Sequence, residues 1–102
     1  MQTPKTLQQA LECANRLLTK QDEVILQSEP LEVAQIQLHL TLGHQLRSVL
    51  GLWQEDAQAL FDELMTQVPN TALVIDADSA SSAIIKALWL ARNHPPAHLP
   101  PA

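Results

Sequence analysis

Residues 3–28, with the sequence TPKTLQQALECANRLLTKQDEVILQS, decide the fold class. Apolar side chains recur in them at spacings of three and four, at Leu7, Ala10, Leu11, Ala14, Leu17, Leu18, Val24 and Ile25. This spacing places a single apolar stripe along an α-helix, because a helix repeats about every 3.6 residues. Thr3 is suited to cap this helix and Pro4 to occupy its first position. The stretch predicts one helix that runs to about Ser28, with Gln21 as the only polar residue on the stripe.

A second helix is predicted after Pro30, with Ser28 or Glu29 as its cap. One of its faces carries the side chains of Leu31, Leu38, Leu42, Leu46, Val49, Leu50 and Trp53. The opposite side also carries apolar residues, namely Val33, Ile36 and Leu40. A helix that is apolar on two faces lies in the middle of a bundle or contributes to an oligomer. The strict alternation of residues 36–42, IQLHLTL, leaves a half-buried strand as the alternative.

Gly51 favours a left-handed residue just after the second helix, with Leu52 in the hydrophobic contact that accompanies such an ending. Glu55 and Asp56 then fall in the first turn of a third helix, where the helix dipole favours acids. The stripe of this helix consists of Ala57, Leu60, Phe61, Leu64, Met65 and Val68. The apolar phase is also unbroken from residue 46 to residue 68, which leaves one long bent helix as the alternative.

A last helix is predicted from Asp78 or Ser79 to about Asn93. Its packing face consists mostly of small residues, at Ala80, Ala83, Ile84, Ala87, Leu88 and Ala91. Residues 72–76 precede it as a short strand, an extended linker or the start of a turn. Residues 94–102, HPPAHLPPA, contain too many prolines to continue a helix and predict a flexible tail.

Length and composition agree with a single helical domain. The chain has 102 residues, of which 46% are hydrophobic and 17% charged, which is enough for one core. Two glycines and 3% aromatic residues argue against a turn-rich β-sandwich. We therefore predict an all-α, up-and-down bundle of about four helices over residues 1–93, followed by the Pro-rich tail. The alternative is an α+β fold with short strands near 36–42 and 72–76.

Charge and sequence pattern exclude several classes of function. The formal net charge is −5, which disfavours a nucleic-acid partner because phosphate contacts need clustered basic residues. No apolar run approaches the ~18 residues of a membrane span, and the polar start does not resemble a signal peptide. Cys13 is the single cysteine, so no internal disulfide forms. We expect a cytoplasmic protein with neither a nucleic-acid nor a membrane partner.

The candidate catalytic motifs lack their required context. Residues 72–79, ALVIDADS, resemble the nucleophile motif of haloacid-dehalogenase-type phosphatases, in which the first carboxylate attacks phosphorus and the second handles the proton. That fold needs further strands with a lysine and acidic magnesium ligands, and too few residues follow Asp78 to supply them. His39 and His44 lie about 140° apart on a helix and do not share a ligand face. We expect no enzyme, no cofactor and no bound metal.

Two features point to interaction with another protein. Six acids and no lysine or arginine lie between Glu55 and Asp78, which is either a docking surface for a basic partner or a solvated face. Ile85 and Trp89 point away from the small-residue face, so either a partner or the other helices cover them. We predict partner contacts by the apolar residues Ile85, Trp89, Val33, Ile36 and Leu40, and by an acidic rim of Glu55, Asp56, Asp62 and Glu63.

These features favour a non-catalytic adaptor or chaperone-like protein that captures an amphipathic segment of a partner. The chain resembles small acidic helical secretion chaperones in size and class. The alternative is a homo-oligomeric structural or regulatory protein, most simply a homodimer. A small-molecule binder or an enzyme is the less favoured third reading.

Overall fold

The structure, a computed structural model, describes residues 4–69, 71 and 73–93, which form helices joined by short loops. The α-helices are α1 (Leu7–Leu17), α2 (Lys20–Ser28), α3 (Leu31–His39), α4 (Leu42–Val49), α5 (Gln58–Gln67) and α6 (Ala77–Asn93). A short 3₁₀ helix, Glu55–Ala57, leads into α5. The described residues contain no strand, and the all-α fold class is confirmed. Neither residues 36–42 nor the described part of 72–76 is a strand. The Pro-rich tail lies outside the described residues.

The first helix is divided in two, against the prediction of one continuous helix to Ser28. Leu18 is extended, with φ −69° and ψ 131°, and Thr19 is the N-cap of α2. The Thr19 side chain accepts a hydrogen bond from the Asp22 backbone N–H, and the Asp22 carboxylate accepts one from the Thr19 N–H, both at 3.1 Å. This capping box satisfies N–H groups that a helix start leaves unpaired. α2 therefore begins on a local sequence signal that the apolar stripe does not reveal.

The caps of α1 and α3 also differ from the prediction. Thr6, not Thr3, caps α1, since its hydroxyl accepts a hydrogen bond from the Gln9 N–H at 3.2 Å. Pro30 takes the N-cap position of α3, and Glu29 closes α2. Thr3 itself lies outside the described residues.

The second predicted helix is divided as well, into α3 and α4, which contact each other across a turn at Leu40 and Thr41. A row of buried side chains spaced four residues apart continues through this turn, at Ala34, Leu38, Leu42, Leu46 and Leu50. Ile36 and Leu40 lie about 200° from this row and are exposed. The alternation that suggested a strand therefore reflects a second apolar face on α3.

The end of α4 follows the prediction. Gly51 has a φ of 64°, in the left-handed region that a glycine adopts without strain. The Leu52 N–H donates to the Arg47 carbonyl at 3.1 Å, which is the Schellman pattern, and Leu52 is buried. Glu55 and Asp56 then form the first turn of the next helical segment, as expected. The predicted stripe of α5 faces the core, because Leu60, Phe61, Leu64 and Val68 are all buried.

α6 is the centre of the fold and contacts every other α-helix. Its buried side chains cover more than one face and consist of Ala77, Ala80, Ser81, Ala83, Ile84, Ile85, Ala87 and Leu88. Four alanines among them let neighbouring helices approach closely, which is how so short a chain surrounds one helix. Among the described helices, none has the length and apolar character needed to cross a membrane.

Candidate protein-docking surfaces

Ile85 is not a surface anchor. Its exposed fraction is 1%, and it belongs to the hydrophobic core. The prediction that Ile85 is a partner-binding anchor was wrong, because α6 is central and is covered on the face that carries Ile85 as well as on the small-residue face. Trp89 is half-buried and packs against the same core.

Trp89 is tied to the fold by its indole nitrogen. Nε1–H donates to the carbonyl oxygen of Glu29 at 2.8 Å, at the junction of α2 and α3. One turn later, Arg92 forms an ion pair with Glu23 of α2 and donates to Asn15 of α1. The Arg92 guanidinium, through hydrogen bonding and its charge, holds the pKa of the Glu23 carboxyl below its usual range. The C-terminal half of α6 is thus fastened to α1 and α2.

Three of the four residues of the predicted acidic rim are exposed, and the fourth is engaged in the fold. Glu55, Asp56 and Asp62 are exposed, and the Asp62 carboxylate accepts a hydrogen bond from Gln58 at 3.0 Å. Glu63 is half-buried, and its Oε1 accepts from the Leu7 N–H at 3.4 Å, at the start of α1. Glu63 therefore has a structural contact in the fold.

The Asp76 and Asp78 carboxylates both serve the start of α6. Asp76 Oδ1 accepts from the Ser79 N–H at 2.8 Å and from its hydroxyl at 2.7 Å, which makes Asp76 the cap in place of Asp78 or Ser79. These hydrogen bonds lower the pKa of Asp76. Asp78 Oδ1 lies 3.4 Å from Nη1 of the buried Arg47. No strand precedes these carboxylates in the described residues, so the phosphatase-like motif lacks its structural context.

Large exposed apolar side chains lie on α3 and on the segment before α6. Ile36 is 75% exposed, Leu40 78% and Leu73 74%. Ile36 and Leu40 are one helical turn apart on the same face of α3, whereas Val33 is half-buried. Leu73 was not among the predicted residues, and nothing in the sequence pattern of residues 72–76 marked it.

A groove lies between α3 and α6, and we call it the α3–α6 groove; Ile36 and Leu73 line it. It contains a cavity of about 260 Å³ lined by Leu31, Gln35, Thr71, Leu73, Ser79, Ser82, Ala83 and Lys86. An adjoining depression is lined by Glu32, Gln35, Ile36, His39 and Ser82. Because the two share Gln35 and Ser82, they form one continuous furrow between α3 and α6. The furrow is apolar along its edge. It also carries one group of each charge, Lys86 at one depression and Glu32 at the other.

The floor of the α3–α6 groove is polar and fixed. Gln35 Nε2 donates to both the carbonyl and the hydroxyl of Ser82, each at 3.2 Å. Thr71 Oγ1 is buried and has no hydrogen-bond partner among the described residues. A buried hydroxyl without a partner costs about 1–3 kcal/mol. Thr71 is thus a lining residue of the groove whose hydroxyl is enclosed by the fold.

A second apolar surface lies after α4, where Trp53 is 65% exposed. The prediction that Trp53 continues the buried face of the second helix was wrong, because the Schellman ending turns Leu52 inward and leaves Trp53 outside. Val49, the last residue of α4, is also exposed, and Glu55 and Asp56 follow Trp53 within three residues.

The described residues contain no group of three or more histidine, cysteine, aspartate or glutamate side chains that could hold a metal ion. His39 lies at the end of α3 and is half-buried, whereas His44 is exposed on α4. The two histidines thus belong to different helices. The exposed apolar surfaces are the features that call for a functional explanation.

The fold and these surfaces define the class: an all-α domain built around a central helix, with a groove of mixed polar and apolar lining between α3 and α6. The chain belongs to the family described as domain of unknown function DUF6794, whose model matches residues 3–92. The match extends over α1 to α5 and nearly all of α6. Comparison with curated proteins finds no match, and comparison with solved structures finds none either.

Proposed function

We propose that this protein is a non-catalytic adaptor or chaperone-like protein that captures an amphipathic segment of a partner in the α3–α6 groove. The observation that carries the proposal is the pair Ile36 and Leu73, which line the groove, with Leu40 one turn from Ile36 on the same face of α3; each of the three is about three-quarters exposed. The core does not need these side chains, since the buried row of α3 and α4 lies on the other side. Large apolar side chains grouped on a surface are typical of interaction sites.

The mechanism we propose is docking of a helix in a groove. An amphipathic helix places its apolar side in the furrow and leaves its polar side in water. Burying one large apolar side chain contributes about 1.5–3 kcal/mol, so three such contacts offset a good part of the entropy that association costs. Glu32 is exposed at the second depression and favours a segment that brings a positive charge to that end of the groove.

A cytoplasmic setting is part of this proposal. Cys13 is the single cysteine of the chain. Small secreted domains are typically stabilised by disulfides, so a chain with one cysteine fits a reducing compartment better. The net charge of −5 supports a protein partner over a nucleic acid.

Native mass spectrometry of the tagged protein, purified gently from its own host, tests the groove. We expect the wild type to carry a stoichiometric subunit of another protein. The double variant Ile36→Ser/Leu40→Ser is expected to lose this subunit, whereas Val24→Ser is expected to keep it. Val24 is a matched control because it is also exposed but lies on α2, outside the groove. Far-UV circular dichroism checks that all three proteins are equally helical.

Other outcomes contradict the proposal. If the wild type carries only copies of its own chain and the double variant is a monomer, the protein is a homo-oligomer. If the wild type is a bare monomer, or both variants keep the partner, the groove is not the docking site.

A further inference from the structure

Two polar side chains meet at the middle of the α3–α6 groove. Gln35 of α3 and Ser82 of α6 line both of its depressions. The Gln35 Nε2 group donates to the carbonyl and the hydroxyl oxygens of Ser82, each at 3.2 Å. Because a backbone carbonyl only accepts, this contact fixes which end of the Gln35 amide is directed to Ser82. The two side chains therefore hold each other in place where the depressions join.

These contacts leave one acceptor and one donor unused. Among the described residues, Gln35 Oε1 accepts no hydrogen bond and the Ser82 hydroxyl donates none. Gln35 Oε1 is not enclosed by the fold, in contrast to Thr71 Oγ1 in the same groove. A hydroxyl that accepts from Nε2 still has its own hydrogen to donate. The junction of the depressions thus offers an acceptor and a donor on neighbouring side chains.

A carboxamide is complementary to this pair of groups. Its NH₂ group donates and its oxygen accepts, so one asparagine or glutamine can bond to both Gln35 Oε1 and the Ser82 hydroxyl. A carboxylate only accepts and a lysine only donates, and a hydroxyl must serve both groups through one oxygen atom. A wholly apolar segment would cover both groups and leave them unpaired, which weakens binding.

The neighbours of Gln35 on α3 extend the pattern. Glu32 lies one turn before Gln35, is exposed, and lines the second depression together with Ile36. Leu40 lies one turn beyond Ile36 on the same exposed face. An acid, an amide and apolar side chains therefore follow one another along α3. A helix that lies along α3 meets them in this order, at positions about one turn apart.

We propose that the captured segment carries an asparagine or glutamine in the middle of its apolar face, which bonds to Gln35 Oε1 and to the Ser82 hydroxyl. A lysine or arginine one turn to one side pairs with Glu32, and a large apolar residue one turn to the other side covers Ile36 and Leu40. This inference rests on the proposed function, because it names the chemistry of the segment that the groove captures. Gln35 and Ser82 then set the register of the segment, as a single buried asparagine does between paired helices.

The test uses labelled helical peptides in fluorescence anisotropy titrations with the full-length protein. The first peptide has lysine, asparagine and leucine at successive turns of one face and is made in both sequence orders. The second has leucine in place of the asparagine. We expect the wild type to bind the asparagine peptide severalfold more tightly, although leucine is the more hydrophobic residue. This comparison needs no variant, so it decides the question even if a variant fails to fold.

Three variants show whether Gln35 and Ser82 cause the preference. Gln35→Met removes the acceptor and is expected to favour the leucine peptide, a change in the ratio of the two affinities of about tenfold. Ser82→Ala is expected to reduce the preference severalfold. Gln37→Met is the matched control, since Gln37 is exposed on α3 outside both depressions, and it is expected to leave the ratio unchanged. Circular dichroism checks that all three variants are as helical as the wild type.

A separate pair of variants tests the charge. Glu32→Gln is expected to weaken both peptides severalfold and by the same factor, because both carry the lysine. Glu12→Gln removes an exposed acid from α1 and is expected to leave both affinities within about twofold. Equal losses in these two variants would mean non-specific attraction and would overturn the pairing with Glu32.

The remaining outcomes separate this inference from the proposed function. Equal binding of the two peptides to the wild type, or an unchanged ratio in Gln35→Met, would overturn the carboxamide contact and leave the groove as a docking site. Binding that survives Ile36→Ser/Leu40→Ser would mean that the peptides lie elsewhere and would overturn both. If neither peptide binds, the inference is overturned, and native mass spectrometry of the host complex decides the proposed function by itself.

Discussion

The turn around Trp53 and the seam around Trp89 place the same side chain in opposite environments. Trp89 lies on the central helix, packs against the core and donates to the Glu29 carbonyl. Trp53 lies beyond the end of α4 and is mostly in water. The difference teaches that the position of a helix in the bundle, not the residue type, decides whether a large apolar side chain serves the fold or remains on the surface.

The largest expected effect separates the core of α6 from the exposed face of α3. Ile85→Ala is expected to lower the free energy of unfolding by about 2–5 kcal/mol, because it leaves a cavity at a fully buried position. Ile36→Ala, the same substitution at an exposed site, is expected to change it by less than about 0.5 kcal/mol. Urea denaturation measures both. Similar losses in the two variants would contradict the assignment of Ile85 to the core.

A smaller effect compares the two tryptophans directly. Trp89→Phe removes the Nε1–H donor and leaves the Glu29 carbonyl without this bond, at a cost of about 1–3 kcal/mol of stability. Trp53→Phe is expected to cost less than about 0.5 kcal/mol. Acrylamide quenching is the independent check: the emission left in Trp53→Phe is protected, and that left in Trp89→Phe is readily quenched. The reverse order of quenching would invert the comparison.

The smallest expected effect concerns the ion pair near Trp89. The pKa of Glu23 is lower in the folded protein, so an acid pH favours the unfolded chain, which binds the proton more tightly. The ion pair therefore adds to the free energy of unfolding above the unfolded pKa of Glu23, about 4.3, and this stabilisation is lost as the pH falls through the lower pKa of the folded protein. Because the Glu23 side chain is 38% exposed, we expect less than about 1 kcal/mol.

Denaturation of wild type and Glu23→Gln at several pH values measures this contribution. The wild type is expected to be the more stable above pH ~5, with the difference vanishing at lower pH. Glu12→Gln, an exposed position on α1, is the control. A difference that grows as the pH falls would have the wrong sign for a stabilising pair.

Most helices of this fold could be predicted from the spacing of apolar residues and from the residues that begin and end helices. The stripe of α5 and the left-handed ending at Gly51 follow from residue spacing and from the freedom of glycine at positive φ. The break between α1 and α2 also had a local signal, the capping box formed by Thr19 and Asp22. It is hard to see in the sequence because the apolar stripe continues past it. The turn at Leu40 and Thr41 had none, since the buried row passes straight through it.

The candidate site was predicted in part. Ile36 and Leu40 were identified as a second apolar face, because periodicity shows which residues leave the main stripe. Leu73 and the groove were not, because they depend on how the segment before α6 lies against α3. Ile85 was predicted to contact a partner because periodicity along one helix does not show how many other helices pack around it.

The sequence by itself determined the all-α class, the two-faced character of α3, the ending of α4 and the acidic stretch after it. These depend on spacing, backbone conformation and charge, which act between residues close in the chain. The tertiary structure alone decided that α6 is central, that Ile85 is buried and that Trp53 rather than Trp89 remains exposed. Burial depends on packing between helices far apart in sequence, and no local pattern contains that information.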